Sequence, residues 1–362
     1  MCIFCSNFAA EIERTLVNNN VTIVKAIGIM LMVLGHTLVP DTIVWKVIYT
    51  FHMPLFFLMS GYCFKDAYLD DGARFVWRKV RGLYLPLVAY SLLFLSLHNL
   101  FCRWHIYPSD ALYDWRAIWQ GIVGITTKMN HSSGPLLGTF WFLKDLLFGN
   151  ILFYVTLRLC RRQAWWTFGI LFVLAELVCW QKWLVPWFGF DSRSMYAAVL
   201  ICAGYLIRVH ELRLDRWWKI GLGVALIATE VILVDQIGFN YDLTPWSMVT
   251  YMLPAIVGTL IVYEAAVWLN SRYESRLLLF IGQHTLPIVA LHFLAFKTVS
   301  LLIIAIYDLP IERLSDFPVL LSYAQQGWWV AYTIIGLGLP LGIALLWTKV
   351  KNYSQNLRVR RQ

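Results

Sequence analysis

Residues 21–39 read VTIVKAIGIMLMVLGHTLV, an apolar run that holds one charged residue, Lys25, and one histidine, His36. A helix needs about 20 mainly apolar residues to cross the hydrocarbon core of a bilayer. Counting this run, ten such segments follow one another and predict an all-α, polytopic membrane protein of about ten transmembrane helices. The predicted spans are residues 21–39, 43–64, 83–101, 140–159, 165–180, 194–209, 220–234, 246–269, 277–306 and 328–347.

The composition supports this class. Of 362 residues, 59% are hydrophobic and 14% are charged, whereas a soluble domain has about 45–50% apolar and about 25% charged residues. A net charge of +9 would suggest nucleic acid if the basic residues formed one face of a soluble domain, but they lie between the apolar runs. The bilayer, and not nucleic acid, is therefore the predicted partner. The seven cysteines predict no disulfide framework, and we expect no metal.

The basic residues also predict the orientation. With the N-terminus in the cytoplasm, 20 of the 30 Lys and Arg residues lie on the cytoplasmic side, as the positive-inside rule requires. Ten spans then place the C-terminus there too. We predict a polar N-terminal tail (1–20), a transmembrane domain (21–348) and a basic cytoplasmic tail (349–362). The longest external loop, residues 102–139, fits either a lid or acceptor-binding surface, or a folded connector.

Ionisable residues inside the apolar runs are candidates for function, because a charge at the bilayer centre costs roughly 2.5–3.5 kcal/mol. Lys25 and His36 are eleven positions apart, which brings them within about 20° of one helical stripe and about 16 Å apart along it. One groove could hold both. Other ionisable residues predicted in the external half or near the midplane are His52, Lys144, Asp145, Glu176 and His292. For any single one of these, a buried polar residue satisfied by a neighbouring helix is the alternative.

The second span contains FHMPLFFLMSGY at residues 51–62. Pro54 removes a helical hydrogen bond, and Ser60 and Gly61 permit close packing. This pattern predicts a kinked or broken helix beside a cavity, with a kink that serves packing alone as the alternative.

Two arginines, Arg78 and Arg81, precede the third span and share a face if this stretch is helical. Arginine is suited to phosphate recognition. The positive-inside bias would place arginines here as well, so both interpretations stay open on composition alone.

These segments together resemble the acyltransferase-3 type family of membrane-bound acyltransferases, which O-acetylate bacterial surface and secreted polysaccharides. The resemblance covers nearly the whole chain. The matching pieces are Lys25 followed after ten residues by His36, FHMPLFFLMSGY at 51–62, Arg78 with Arg81, WFL at 141–143, and IGQHTL at 281–286 through His292. Lysine at position 25, with the FHMPLFF run, looks most like the fucose 4-O-acetylase-related branch.

The resemblance implies a bacterial inner-membrane enzyme that takes an acetyl group from cytoplasmic acetyl-CoA. The acceptor would be a hydroxyl of a surface or secreted polysaccharide, or of its lipid-linked precursor. His36 would be catalytic, Lys25 would assist it or the donor, and Arg78 and Arg81 would bind the phosphates of the coenzyme. The predicted catalytic residues are His36, Lys25, His292 and Asp145, and the predicted donor-binding residues are Lys25, Ser60, Arg78 and Arg81.

Acyl transfer to a hydroxyl needs a general base near neutral pKa, a role that histidine fits. His36 would be this base or would carry the acyl group briefly, with Asp145, Glu176 or His292 orienting it. A proton-coupled transporter of a small solute or glycan would also suit membrane histidines and broken helices. A scaffold for glycan assembly would tolerate the loss of His36. Succinyl transfer in place of acetyl transfer, and the oligomeric state, stay open.

Overall fold

The computed structural model describes residues 2–129, 134–181, 189–235, 237–239 and 247–359. None of these residues lies in a β-strand, and most are helical, so the all-α prediction is confirmed for this part of the chain. The helices are α1 (Cys2–Gly35), α2 (Ile43–Tyr62), α3 (Gly72–Lys79), α4 (Leu85–Arg103), α5 (Trp115–Lys128), α6 (Trp141–Leu159), α7 (Ala164–Gln181), α8 (Ser192–Val209), α9 (Trp217–Leu233), α10 (Ser247–Arg272), α11 (Arg276–Gln283), α12 (Thr285–Ile306), α13 (Leu321–Tyr323) and α14 (Trp329–Val359).

Six helical segments are long and apolar enough to cross a membrane. They are Ile43–Tyr62, Gly72–Arg103, Pro135–Leu159, Thr250–Arg272, Thr285–Ile306 and Leu321–Val350. Two shorter apolar helices, Asn19–Gly35 and Ala164–Trp180, accompany them. All ten predicted runs overlap helices, but length and composition support six spans, so the count of about ten and the position of the termini stay predictions.

Close backbone contact fixes helix α2 against α8. A Cβ atom added to Gly61 would lie 1.8 Å from the carbonyl oxygen of Ile201, and one added to Gly204 would lie 1.9 Å from that of Leu58. Only glycine permits this approach, which is common between membrane helices. The reciprocal pair holds α2 in one register, and α2 carries Tyr49 and His52.

Two segments differ from the predictions. The run 277–306 is not one helix, because α11 ends at Gln283 and α12 begins at Thr285, with His284 at φ −113° and ψ 32° between them. Pro287 thus lies in the first turn of α12, where the backbone N–H groups have no partner within the helix, so the N–H that proline lacks costs no helical hydrogen bond. Conversely, α2 continues through Pro54 as a single helix, so the predicted break is absent there.

The predicted N-terminal tail is also helical, since α1 begins at Cys2 and continues into the first apolar run. At the other end, α14 extends beyond the last predicted span to Val359.

Candidate active site

His36 follows the last residue of α1 and lines a cavity of about 400 Å³ between α1, α2, α6 and α12. We call it the His36 cavity; its lining residues are Gly35, His36, Leu38, Pro40, Trp45, Tyr49, His52, Met53, Gly138, Thr139, Trp141, Phe293, Phe317, Pro318 and Leu321. No Lys, Arg, Asp or Glu is among them, within the part of the chain that the structure describes. The imidazole is half-buried and stays open to a small molecule.

Tyr49 is the nearest polar neighbour of His36. Its hydroxyl oxygen lies 3.4 Å from His36 Nδ1. Its ring stacks on Trp45 with the centroids 3.7 Å apart, and its carbonyl accepts a hydrogen bond of 3.0 Å from the Tyr251 hydroxyl. Gly35 lets this ring approach, because a Cβ there would be 3.0 Å from Tyr49 Cε2. If Nδ1 donates to the Tyr49 oxygen, Nε2 carries the free lone pair that a general base requires.

His292 stacks on His36, with ring centroids 5.5 Å apart and planes at 26°. Its Nδ1 lies 2.9 Å from the carbonyl oxygen of Ile288 and 3.1 Å from that of Val289, so Nδ1 carries the proton in these bonds. Nε2 is buried without a hydrogen-bond partner among the described residues. The structure thus brings His292 directly against His36, behind the cavity wall.

His52 is a third histidine of this region and lines the cavity itself. Its Nδ1 donates to the carbonyl of Ile48 at 2.9 Å, and its ring meets the Tyr49 ring edge-on at 4.7 Å. His36, Tyr49 and His52 therefore form one polar cluster in a mainly apolar cavity.

Asp145 does not line the His36 cavity. It is fully buried and accepts a hydrogen bond of 2.6 Å from Ser194. Lys144 Nζ is 3.4 Å from it and 2.9 Å from Asp191. Arg193 contacts both carboxylates, at 3.9 Å from Asp145 and 3.1 Å from Asp191. This charge network joins α6 to the start of α8 and is not among the residues that line the His36 cavity in the described chain.

Burial would raise the pKa of the Asp191 carboxyl, but the charges and hydrogen bonds of Lys144 and Arg193 hold it below its usual range. Asp191 is therefore ionised at neutral pH and the network is charged. Its link to the cavity is indirect, since the Arg193 guanidinium lies over the Trp141 ring at 5.3 Å and Trp141 lines the cavity. Glu176, the third residue predicted to orient His36, lies on α7 beside Tyr196.

A second buried lysine shapes the cavity wall. Lys297 of α12 donates to the carbonyl oxygens of Leu314 and Asp316 at 2.8 and 2.7 Å. These bonds fix the segment just before Phe317, whose ring packs on Phe293 at 4.7 Å and lines the cavity.

Lys25 lines a different cavity, of about 320 Å³. We call it the Lys25 cavity; its lining residues are Val21, Lys25, Phe56, Met59, Ser60, Cys63, Gly82, Leu83, Phe142, Leu143, Leu146, Thr285, Leu286 and Val289. Ser60 donates a hydrogen bond of 2.9 Å to Asn150, and Lys79 Nζ lies 3.4 Å from the Ser60 oxygen. Two predicted donor-binding residues, Lys25 and Ser60, thus share this cavity.

Arg78 and Arg81 are exposed on the chain that leads to the Lys25 cavity. Arg78 lies in the last turn of α3 and donates to the Tyr68 hydroxyl at 2.8 Å. Arg81 lies in the π-helical turn Val80–Tyr84 between α3 and α4, and the next two residues line the cavity. Such π-turns often occur at functional sites. The described residues hold no group of three or more His, Cys, Asp or Glu side chains placed to bind a metal ion.

The two cavities lie end to end. Neighbouring residues on three helices line opposite cavities: Met53 and Phe56 on α2, Trp141 and Phe142 on α6, Phe293 and Val289 on α12. Within the described residues they share no lining side chain, so side chains of these helices separate the two cavities.

The family model of an acyltransferase domain matches residues 18–347, a span that includes both cavities. The chain belongs to the acyltransferase-3 family. No curated protein and no solved structure matches it significantly. As an acyltransferase-3 protein with six helical segments apolar enough to span a bilayer, it is a membrane acyltransferase. The family match does not decide the fucose 4-O-acetylase-related branch.

Proposed function

We propose that this acyltransferase moves an acetyl group from acetyl-CoA to a hydroxyl of a surface or secreted polysaccharide, or of its lipid-linked precursor. One observation carries the proposal: His36 and Lys25 line two cavities that meet end to end between the same helices. A donor entering beside Lys25 and an acceptor entering beside His36 would meet at the layer between them.

The basic residues support the assignment of the donor to the Lys25 cavity. Lys25 lines it, Lys79 reaches its wall, and Arg81 precedes the lining residues Gly82 and Leu83. A coenzyme with several phosphates binds where cations converge. The His36 cavity has no charged side chain among its described lining residues, which suits an uncharged carbohydrate hydroxyl.

In the proposed reaction, His36 Nε2 removes the proton of the acceptor hydroxyl as its oxygen attacks the thioester carbon. The carbon–sulfur bond then breaks, the coenzyme leaves as a thiolate, and the imidazolium returns the proton to the sulfur. A brief acyl-His36 intermediate would divide the same exchange into two steps. Tyr49 holds Nδ1 in either case, and His292 packs behind the ring.

Asp145, predicted from the sequence as catalytic, enters this scheme as a positioning residue. Through Arg193 it acts on Trp141, which forms part of the cavity wall. We further propose a bacterial inner-membrane location with both termini in the cytoplasm, about ten spans, and the fucose 4-O-acetylase-related branch. The lysine at position 25 and the distribution of basic residues support these assignments.

The test compares membranes that hold the wild-type chain, His36→Ala or His210→Ala. His210 is exposed at the end of α8 and serves as the matched histidine control. We expect coenzyme A release from acetyl-CoA, and acetyl esters on the surface polysaccharide by NMR, with wild type and His210→Ala only. The rate of acetyl transfer should fall about 10²–10⁴-fold in His36→Ala, which is the usual contribution of a general base. Normal acetylation by His36→Ala would refute the proposal, and polysaccharide export without coenzyme A release would favour a transporter.

A further inference from the structure

At the boundary between the two cavities, Phe56 and Phe142 form what we call the aromatic layer, and Gly28 of α1 packs against it. The rings of Phe56 and Phe142 meet edge to face, with their centroids 5.5 Å apart and planes at 62°. Gly28 faces Phe56, since a Cβ there would be 3.2 Å from the Phe56 ring and 2.9 Å from Leu55. Phe142 is buried and Phe56 is half-buried toward the Lys25 cavity. In the proposed reaction, an acyl group that moves from the Lys25 cavity toward His36 meets these two rings.

We propose that the aromatic layer is the acyl-binding subsite and restricts the donor to short, uncharged acyl groups. The inference rests on the proposed function, because it assumes that a thioester enters beside Lys25. It adds the residues that select the acyl chain, Phe56 and Phe142, and it decides between acetyl and succinyl donors.

Size is the first criterion. Phe142 is held on both sides, by Phe56 at 5.5 Å and by Phe57 at 5.1 Å. Phe57 in turn packs on Phe239 at 5.2 Å, so Phe142 has little room to withdraw. Phe56 and Phe142 both line the Lys25 cavity, and Phe56 is the more exposed of the two. In a packed apolar subsite each additional methylene that does not fit costs about tenfold or more in specificity.

Charge is the second criterion. The side chains around the aromatic layer are apolar: Met53, Leu55, Leu143 and Val289. Lys25 is three residues, or about five-sixths of a helical turn, before Gly28 and lines the Lys25 cavity, whereas the acyl end of a donor must point toward His36. A succinyl carboxylate crossing the layer would be desolvated without a partner among these residues, which is strongly unfavourable.

The experiment measures kcat/KM for three donors, acetyl-CoA, butyryl-CoA and succinyl-CoA, with acyl transfer to the polysaccharide read by mass spectrometry. Butyryl and succinyl chains both have four carbons, so they separate length from charge. The variants are Phe56→Ala, which opens the layer, and Phe148→Ala as a control. Phe148 forms a similar edge-to-face pair with Phe190 at 5.6 Å, lies on the same helix as Phe142 and lines neither cavity.

In Phe56→Ala we expect the butyryl-to-acetyl ratio of kcat/KM to rise at least tenfold over wild type, while succinyl transfer stays at the wild-type background. Phe148→Ala should keep the wild-type ratio. An unchanged ratio in Phe56→Ala would overturn the inference, as would an equal gain for succinyl-CoA.

Phe56→Leu is the reserve variant if Phe56→Ala does not elute as a folded protein, and a smaller rise in the same ratio is expected from it. The two proposals fail in different ways. A wild-type chain that transfers no acyl group from any donor overturns the proposed function, and the subsite with it. Wild-type acetyl transfer with no change of preference in the Phe56 variants overturns the subsite alone.

Discussion

Replacing Tyr49 by phenylalanine removes one oxygen atom from the His36 cavity and keeps the ring that stacks on Trp45. The lost contact is the one between the hydroxyl and His36 Nδ1, at 3.4 Å. A neutral hydrogen bond contributes about 0.5–1.5 kcal/mol, and this one lies beyond the usual distance range. We therefore expect a loss of roughly 0.5–1 kcal/mol in transition-state stabilisation, which is about two- to fivefold in kcat.

The KM for acetyl-CoA should not change in Tyr49→Phe, because Tyr49 does not line the Lys25 cavity. Steady-state kinetics of coenzyme A release in detergent-solubilised protein measures both constants. Tyr90→Phe is the matched control, since Tyr90 is a half-buried tyrosine that packs on Phe140 and lines neither cavity. A fall in kcat of more than about 100-fold would show that Tyr49 itself exchanges the proton, and an unchanged kcat would remove its role in holding His36.

Three further outcomes follow from the packing and the charges. Gly61→Ala should lower the free energy of unfolding by about 1–3 kcal/mol, because its Cβ would meet the Ile201 carbonyl. Gly221→Ala is the control, since a Cβ there meets nothing within 4 Å, and its melting temperature should be equal to that of the wild type or higher. Equal losses of stability in both variants would contradict the argument. Lys25→Met should raise the KM for acetyl-CoA about 10- to 100-fold, because a hydrogen bond to a charged group contributes a free energy of that size. An effect on the KM of the acceptor alone would place Lys25 on the acceptor side. Asp145→Asn should lower the free energy of unfolding by up to about 3–5 kcal/mol, because it leaves the buried Lys144 and the half-buried Arg193 with one carboxylate fewer. A normal unfolding midpoint with lost activity would instead support a catalytic carboxylate.

The apolar runs predicted the helices because a bilayer demands a length and a composition that are visible in the sequence. The ninth run was predicted as one span, and its division at His284 was not predicted. Proline was the only visible signal there, and it lies in the first turn of α12, after the break at His284. By contrast, Pro54 did not break α2, which continues to Tyr62 and packs closely on α8 at Gly61. A proline in the sequence shows only where a backbone hydrogen bond is missing; whether the helix breaks there depends on its tertiary contacts.

The candidate site was predicted in part. The spacing of Lys25 and His36 indicated one groove that could hold both, whereas the structure places them in two separate cavities between the same helices. Tyr49 was missed because a tyrosine in an apolar run looks like packing; its position one turn before His52 was the available signal. The pairing of Asp145 with Arg193 could not be predicted, because it joins two helices that are distant in sequence.

In the proposed orientation one cavity faces each side of the bilayer, and the protein must still keep ions from crossing. Moving one elementary charge through 100 mV releases about 2.3 kcal/mol, so an open column of water through the bundle would drain the membrane voltage. In that arrangement the edge-to-face rings of Phe56 and Phe142 would close the column. Protons and ions would then meet an apolar barrier between the two cavities.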